Sequence, residues 1–515
     1  MSPDQLDDTA ALIEVTRRLY TRDEAALELL DRLERRIREP LRLAIAGIVK
    51  AGKSTLLNAI LGEQIAPTDA GECTKIVTWY RYSETPSITL RPHGRPSQRL
   101  PLRRVRGKLV IDLGEMSADD VERIDIGWPA PALKSVILID TPGIASTSHE
   151  VSARSMSFLT PSDSPSEADA IVYLLRHLHP SDLGFLEAFR DTAAGPSQTV
   201  NAVAVLSRAD EIGSGRIDSL LSARKVALRY ERDGELASLA LGVVPVAGLL
   251  AEGAQTLREA EFTAFRELAA LDRVERERLL VSADRFVRPA DHLSLSERER
   301  KELLARFGLF GVRLAISLIR AGATDSTQLS TQLVQHSGLN ELNDFVELHF
   351  HSRAASLKAR GVLDALERLL RDKPRRDSST VLEGIERIRA SAHWLRELTL
   401  LSSARTAGLG LPEDDAQRAA RIVGGDGLDP ALRLGLPQEV SAHEIALQAM
   451  IELDQWRAKS QSPMLERKAT ETCRIVVRTL EGIVSGISPT RPPQSLADVV
   501  TAHAPGNSTT QVADE

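Results

Sequence analysis

One stretch of this 515-residue chain constrains the rest: Leu41 to Leu61, LRLAIAGIVKAGKSTLLNAIL. Within it, Gly47-Ile48-Val49-Lys50-Ala51-Gly52-Lys53-Ser54 fits the phosphate-loop pattern G-x-x-x-x-G-K-[ST]. Leu41, Leu43 and Ile45 alternate into the loop as a buried strand, and residues 55–61 leave it as a helix. Glycines are needed because backbone amides must turn inward around phosphate oxygens, where a Cβ would block the approach. The helix N-terminus adds free N–H groups and the positive end of its dipole. Gly47, Lys50, Ala51, Gly52, Lys53, Ser54 and Thr55 are thus expected around a nucleotide's phosphates. Lys53 would reach the β- and γ-phosphates, and the Ser54 hydroxyl would ligate Mg²⁺.

Further motifs follow in a fixed order. In APTDAGECTKIVTWYRY, residues 66–82, an aperiodic loop gives way to an alternating strand, the expected shape of a first switch loop. Thr74 is its candidate second protein ligand to Mg²⁺ and a candidate catalytic group. Residues 83–128 hold short alternating pieces broken by Pro and Gly, an extra hairpin region at the sheet edge. Val136–Ile139 is continuously apolar, as a buried parallel strand should be, and ends on Asp140-Thr141-Pro142-Gly143. Asp140 is expected to hold the hydrated Mg²⁺, and the Gly143 amide to sense the γ-phosphate, because ligands in such sheets bind at the carboxyl ends of the strands. The polar, serine-rich residues 144–167 read as a second switch and a connection.

Residues 203–206 lead into Ser207-Arg208-Ala209-Asp210, the N/T-K-x-D position with Ser for Asn and Arg for Lys. Asp210 can accept from guanine N1–H and the 2-amino group, whereas adenine offers an acceptor and no amine there. A site built for such donors rejects the analogue lacking them by ~10⁴ or more. The Arg208 stem would pack under the base, and losing the asparagine puts one loop-bracing hydrogen bond in doubt. Val246, Ala247 and Gly248 close the series, the Ala247 amide being the expected contact to guanine O6. His177 and His179 lack a third ligand and read as a polar loop.

The flanks are helical. Residues 1–38 carry Leu27, Leu30, Leu33 and Ile37 on one face and Arg32, Arg35, Arg36 and Arg38 around the remainder, and Pro40 ends the helix. Residues 255–335 read as a helical insertion. The helix begun at Ser337-Gly338-Leu339 would reach about 45–50 Å if unbroken to Leu370, and Lys373-Pro374-Arg375-Arg376 breaks it. Helices near 379–406, 438–460 and 464–487 follow, with stripes at Ala446, Met450, Leu453 and Trp456 and at Ala469, Cys473, Val477, Leu480 and Val484. The basic turn 373–376 and the leucine-bearing loop 424–437 are candidate lipid contacts. Residues 488–515, rich in Pro, Ser, Thr and Ala, read as disordered.

Bulk properties narrow the partners. A net charge of −7 argues against nucleic acid, although it leaves room for a local basic patch. Two cysteines cannot make a disulfide framework or a zinc site unaided. No apolar run approaches a membrane span, so a cytoplasmic protein with at most peripheral membrane contact is expected.

GIVKAGKSTLLNAILG, the Thr74 loop, PALKSVILIDTPGI, LSRADEI and VPVAGLL, in this order, resemble the GTPase domain of bacterial dynamin-like proteins, in particular the isoniazid-inducible dynamin-like GTPases of actinobacteria. LRHLHPSD and RFGLFGVRLA are similar to that group as well. The resemblance implies an α/β P-loop GTPase domain, a mostly parallel sheet flanked by helices, plus a helical stalk built from both chain ends. The resulting plan is N-terminal stalk helices at 1–38, a GTPase domain at 39–352, a stalk at 353–487 and a tail. GTP and Mg²⁺ are the implied cofactors. The implied partners are a second copy or a related GTPase joined through the GTPase domain, and a lipid surface at the inner face of the plasma membrane. Such proteins usually carry Gln and Ser at the third and fourth loop positions; Val49 and Lys50 stand there instead. Lys50 is therefore a candidate cation acting in cis on developing phosphate charge, beside Lys53 and Thr74. An Era-like switch binding a ribosome or protein, or a weakly hydrolysing GTP-dependent scaffold, are the alternatives.

Overall fold

The computed structural model describes residues 4–67, 75–105, 108–114, 116–143, 166–194, 201–213, 215–232, 235–289, 294–391, 393–406, 408–437 and 439–487. Thr74, nearly all of the expected second switch and the tail lie outside the described residues. The chain divides into two compact units, one of residues 40–354 with 402–408, the other of 1–39, 355–401 and 409–515.

The first unit is built on a nine-stranded sheet. In chain order its strands are β1 (Leu41–Gly47), β2 (Thr78–Tyr82), β3 (Ser87–Pro92), β4 (Gln98–Leu100), β7 (Val121–Trp128), β8 (Val136–Asp140), β9 (Ala170–Leu175), β10 (Ala202–Ser207) and β11 (Val243–Val246), while β5 (Arg103–Val105) and β6 (Lys108–Val110) form a separate ribbon. The order is β11-β10-β9-β1-β8-β2-β7-β3-β4. The first five strands are parallel throughout. The sheet is mixed beyond them, because β2 runs antiparallel to β8 and β3 antiparallel to β7 and β4.

Every residue of β1 is buried, since parallel neighbours stand on both sides and helices cover both faces. Its neighbours β8 and β9 come from opposite halves of the sheet, so its carboxyl end opens at a topological switch point. Trp79, Ile139, Tyr173, Phe185, Phe189 and Leu206 fill one core.

The residues expected as an insertion form helices Glu259–Ala270, Arg273–Leu279, Ala283–Val287, Glu297–Arg320 and Ser326–Gln335, capped by Asp272, Ser282, Ser296 and Asp325. Their aromatic core includes Phe262, Phe265, Phe286, Phe307 and Phe310, and it takes in Leu250 and Ala254 from the helix Gly248–Gln255 and Ala247 just before it. The insertion is therefore packed onto the element that follows β11. The helix from Leu339 is not unbroken: a π-type segment, Glu347–His351, separates Leu339–Val346 from Ala354–Asp372.

The second unit is helical and joins both chain ends. Leu12, Ile13, Leu30 and Leu33 of helices Asp4–Leu19 and Glu24–Arg38 pack with Val362, Leu366, Val381 and Ile385. Arg36 is buried, a departure from the solvated face expected of it. Both candidate lipid contacts are partly committed inside this unit, although Arg376 stays exposed. Lys373 and Arg375 bind Asp23 at 2.7 and 3.2 Å, and Arg375 stacks 4.8 Å over Tyr20. The leucine-bearing loop contains a short helix, Pro430–Leu434, that buries Ala431 and Leu434. Helix Ala442–Ser460 buries Ala449, Glu452, Leu453 and Trp456 and exposes Met450, while the last helix buries Val476 and Ile483 in place of Val477 and Val484. Among the described residues no helix is long and apolar enough to cross a membrane.

Candidate nucleotide-binding site

The carboxyl end of β1 is shaped by close approach. Gly47 has φ +147°, and a Cβ there would overlap the Leu174 carbonyl oxygen of β9. Gly52, left-handed at φ +98°, starts the helix Lys53–Leu61. The loop also holds Lys50 at φ +64°, one of two non-glycine residues with positive φ among those described. Lys50 and Val49 are both exposed.

Lys53 folds back across the loop, its Nζ donating to the carbonyls of Gly47 at 3.1 Å and Ile48 at 3.3 Å. Burial lowers its pKa, opposed by the charge of Asp140. Asp140, ending β8, is pushed up to about 6 by burial, against the pull of Lys53 and a hydrogen bond from Ser54. That bond runs from Ser54 Oγ to Asp140 Oδ2 at 3.4 Å, while Asp140 Oδ1 is buried without a hydrogen-bond partner. A serine hydroxyl beside a carboxylate with an unsatisfied buried oxygen is the hard-oxygen donor set that suits Mg²⁺. Gly143 is required for a steric reason: a Cβ there would lie 2.5 Å from Val49 Cγ2 and 3.0 Å from Val49 Cα.

On the other side of the loop lies a cavity of about 180 Å³. Ala51, Gly52 and Thr55 line it from the phosphate loop and its helix, Ser207, Arg208 and Asp210 from the loop after β10, and Val246 and Gly248 from the end of β11. Leu56, Leu174, Val205 and Leu249 give it apolar walls suited to a flat base. At the position of the missing asparagine, Ser207 Oγ donates to the Leu175 carbonyl at 3.0 Å and ties the loop to β9. Arg208 is left-handed, and its guanidinium binds Glu211 at 2.8 Å and the Lys50 carbonyl at 3.3 Å. It thus links the base side to the phosphate loop. Asp210 is buried, and burial raises its pKa to about 6.

The Ala247 amide does not face the cavity. It donates to the Ser337 carbonyl at 2.8 Å, which leaves Val246 and Gly248 as the lining residues of that loop.

Two contributions were missed by sequence reasoning. Helix Glu297–Arg320 breaks at Gly308, with φ +64° and ψ 172°, and a Cβ there would sit 3.7 Å from Asp210 Oδ2. That conformation is essentially restricted to glycine, and the one signal was a glycine in mid-helix. The second is Asn58. Its Oδ1 accepts from the Ile65 and Ala66 amides at 2.9 and 2.7 Å, and its Nδ2 donates to Glu252 at 3.2 Å, fixing the chain where the first switch loop begins. His177 and His179 belong to no metal cluster among the described residues.

A phosphate loop on the central strand, an aspartate closing the neighbouring strand and a carboxylate at the base side define a P-loop nucleotide-binding domain of the GTPase class. Residues 43–180 match the model of the Dynamin family. Isoniazid-induced protein IniC of Mycobacterium tuberculosis is 39% identical over 462 residues, which is 90% of this chain and 93% of that protein. The chain belongs to the bacterial dynamin-like proteins of this isoniazid-induced group. Isoniazid-induced protein IniA of the same species is 32% identical over 127 residues, covering 22% of this chain and 19% of that protein. A bacterial dynamin-like protein of Nostoc punctiforme is 28% identical over 170 residues, covering 31% and 24%.

Proposed function

We propose that this protein binds GTP with Mg²⁺, hydrolyses it, and uses the nucleotide state to control self-association through the GTPase domain and attachment to a membrane surface. The observation that carries the reading is Asp210, a buried carboxylate lining a cavity whose other wall is the phosphate loop. A guanine base supplies the two donors such a group needs.

Lys53 would exchange its two carbonyl partners for phosphate oxygens, Ser54 and Asp140 would hold the cation, and Thr74, outside the described residues, would add the second hydroxyl. Mg²⁺ supplies positive charge to the phosphate oxygens when bound. Gly143 lies against the loop at Val49, and its amide would report the γ-phosphate. Val49 has no polar group to orient water, so the remaining charge stabilisation falls to Lys50, whose ammonium has no partner among the described residues. Family membership supports self-association, pairing with a related GTPase, and peripheral membrane attachment on the cytoplasmic side.

Calorimetry with GTP and ATP tests the base assignment, and turnover measured against protein concentration and added liposomes tests the coupling. GTP-selective binding with turnover that climbs in both series is expected. Equal affinity for ATP refutes the assignment, tight binding without turnover supports a scaffold, and co-sedimentation with ribosomes supports an Era-like switch.

A further inference from the structure

Residues 85–111 contain seven Lys and Arg and no Asp or Glu, in a chain of net charge −7. They form the outer edge of the sheet, β3 and β4, and then the detached ribbon β5–β6, paired Arg103 to Val110 and Val105 to Lys108. A two-stranded ribbon is marginal by itself. Its inner face is held to the turn after the phosphate-loop helix. Leu109 is buried and its amide donates to the Gln64 carbonyl at 3.4 Å, while Arg104 binds Glu63 at 3.0 Å and stacks 5.2 Å over Trp128.

The outer face is different. Val105 is 57% and Val110 40% exposed, Leu102 beside them is 45% exposed, and Arg95, Arg99 and Arg103 stand exposed around them, Arg103 paired across solvent with Asp112 at 3.6 Å and Arg95 near Asp120. Cations alone would be ordinary protection of a sheet edge. Exposed Val and Leu on the same ribbon are not, because they turn an edge into an adhesive one. Aliphatic groups ringed by arginines match an anionic bilayer, where apolar side chains enter the interfacial layer and cations remain at head-group level.

We propose that the ribbon β5–β6, with the β3–β4 edge beside it, is the surface by which the GTPase unit docks on a membrane rich in anionic lipids. The inference rests on the peripheral-membrane reading above and moves the contact from the helical unit, where Lys373 and Arg375 pair with Asp23 and Ala431 and Leu434 are buried.

The test is flotation of the full chain with phosphatidylcholine vesicles, with and without phosphatidylglycerol. The wild type is expected on anionic vesicles only, with binding that weakens as salt is raised. Arg99→Gln with Arg103→Gln is expected to weaken it about 25-fold, roughly five-fold per cation, while GTP affinity stays unchanged and shows the variant folded. Val105→Ser with Val110→Ser is expected to weaken binding and leave its salt dependence intact. A wild type that ignores anionic vesicles overturns the membrane reading itself. Wild-type binding that both variants retain overturns the ribbon assignment alone. So does tighter binding of the basic edge to an oligonucleotide than to vesicles, or loss of self-association in place of vesicle binding.

Discussion

Asp210→Asn separates stability from function. In the wild type the buried carboxylate titrates near 6, about two units above its ordinary value, because burial disfavours the charged form. The folded protein therefore holds this proton more tightly than the unfolded chain does. The associated stability is complete below about pH 4 and is lost as pH rises through 6. At pH 7.5 the ionised group costs about 3 kcal/mol, two units at 1.36 kcal/mol each. Asn carries no charge to desolvate, so the variant should be up to about 3 kcal/mol more stable at pH 7.5 and no more stable at pH 4. In a thermal scan that is a rise on the order of 6 °C for the GTPase unit.

The same change should ruin guanine recognition. A carboxamide offers one acceptor where guanine brings two donors, whereas its N–H₂ suits the C2 carbonyl of xanthine, so preference should pass from GTP to XTP. In the wild type, GTP affinity should fall about tenfold per pH unit below 6 as Asp210 protonates. Differential scanning calorimetry at both pH values, with nucleotide titrations beside it, provides the measurements. A variant no more stable than wild type at pH 7.5, or equally stabilised at pH 4, refutes the buried-charge argument; retained GTP preference refutes the base assignment.

Other expectations concern the phosphate side and the insertion. Lys50→Ala should slow turnover at least tenfold with GTP affinity within a factor of about two, the split expected of a group acting only on developing charge; unchanged single-turnover rates would remove Lys50 from catalysis. Gly143→Ala should weaken a non-hydrolysable GTP analogue at least tenfold and GDP little, roughly the worth of one charge-assisted hydrogen bond, and calorimetry with both ligands decides. Gly308→Ala should cost about 1–3 kcal/mol in chemical denaturation, the price of a glycine-only conformation, and should lower GTP affinity because the break abuts Asp210.

The phosphate loop and the placement of Asp140 and Asp210 at one edge of the sheet were legible from motif order, and at the glycines backbone geometry dictates the residue type. Gly47 and Gly143 stand where a Cβ would collide with Leu174 and Val49, and such constraints imprint on sequence directly. Ala247 was misjudged because an amide's direction depends on a distant partner, Ser337, which spacing cannot reveal. The exposed Met450, and burial of Val476 where Val477 was expected, have another origin. Small and branched apolar residues crowd adjacent positions of these helices, so a helical stripe drifts by one residue at little cost in hydrophobic pattern. Thr74 and most of the second switch fall outside the described residues and are carried by spacing and likeness alone.

The insertion reaches the candidate nucleotide site at Gly308, and the helix on which it packs reaches the chain just before the expected first switch loop. Gly308 abuts the base carboxylate, and Glu252, on the helix that joins the insertion's core, accepts from Asn58 at 3.2 Å and Gln64 at 3.1 Å where the first switch loop begins. Asp210 and the segment 64–66 thus both neighbour elements that share one hydrophobic core. If Glu252 acts as a shared acceptor, its charge is incidental. Glu252→Gln keeps an oxygen in place and should leave GTP affinity within about twofold, whereas Glu252→Leu strands two amide donors and should cost on the order of 2–4 kcal/mol of stability. Urea denaturation and nucleotide titration of the pair distinguish the cases: equal damage from both substitutions would mean that charge, not hydrogen bonding, holds Asn58 and Gln64 to this helix.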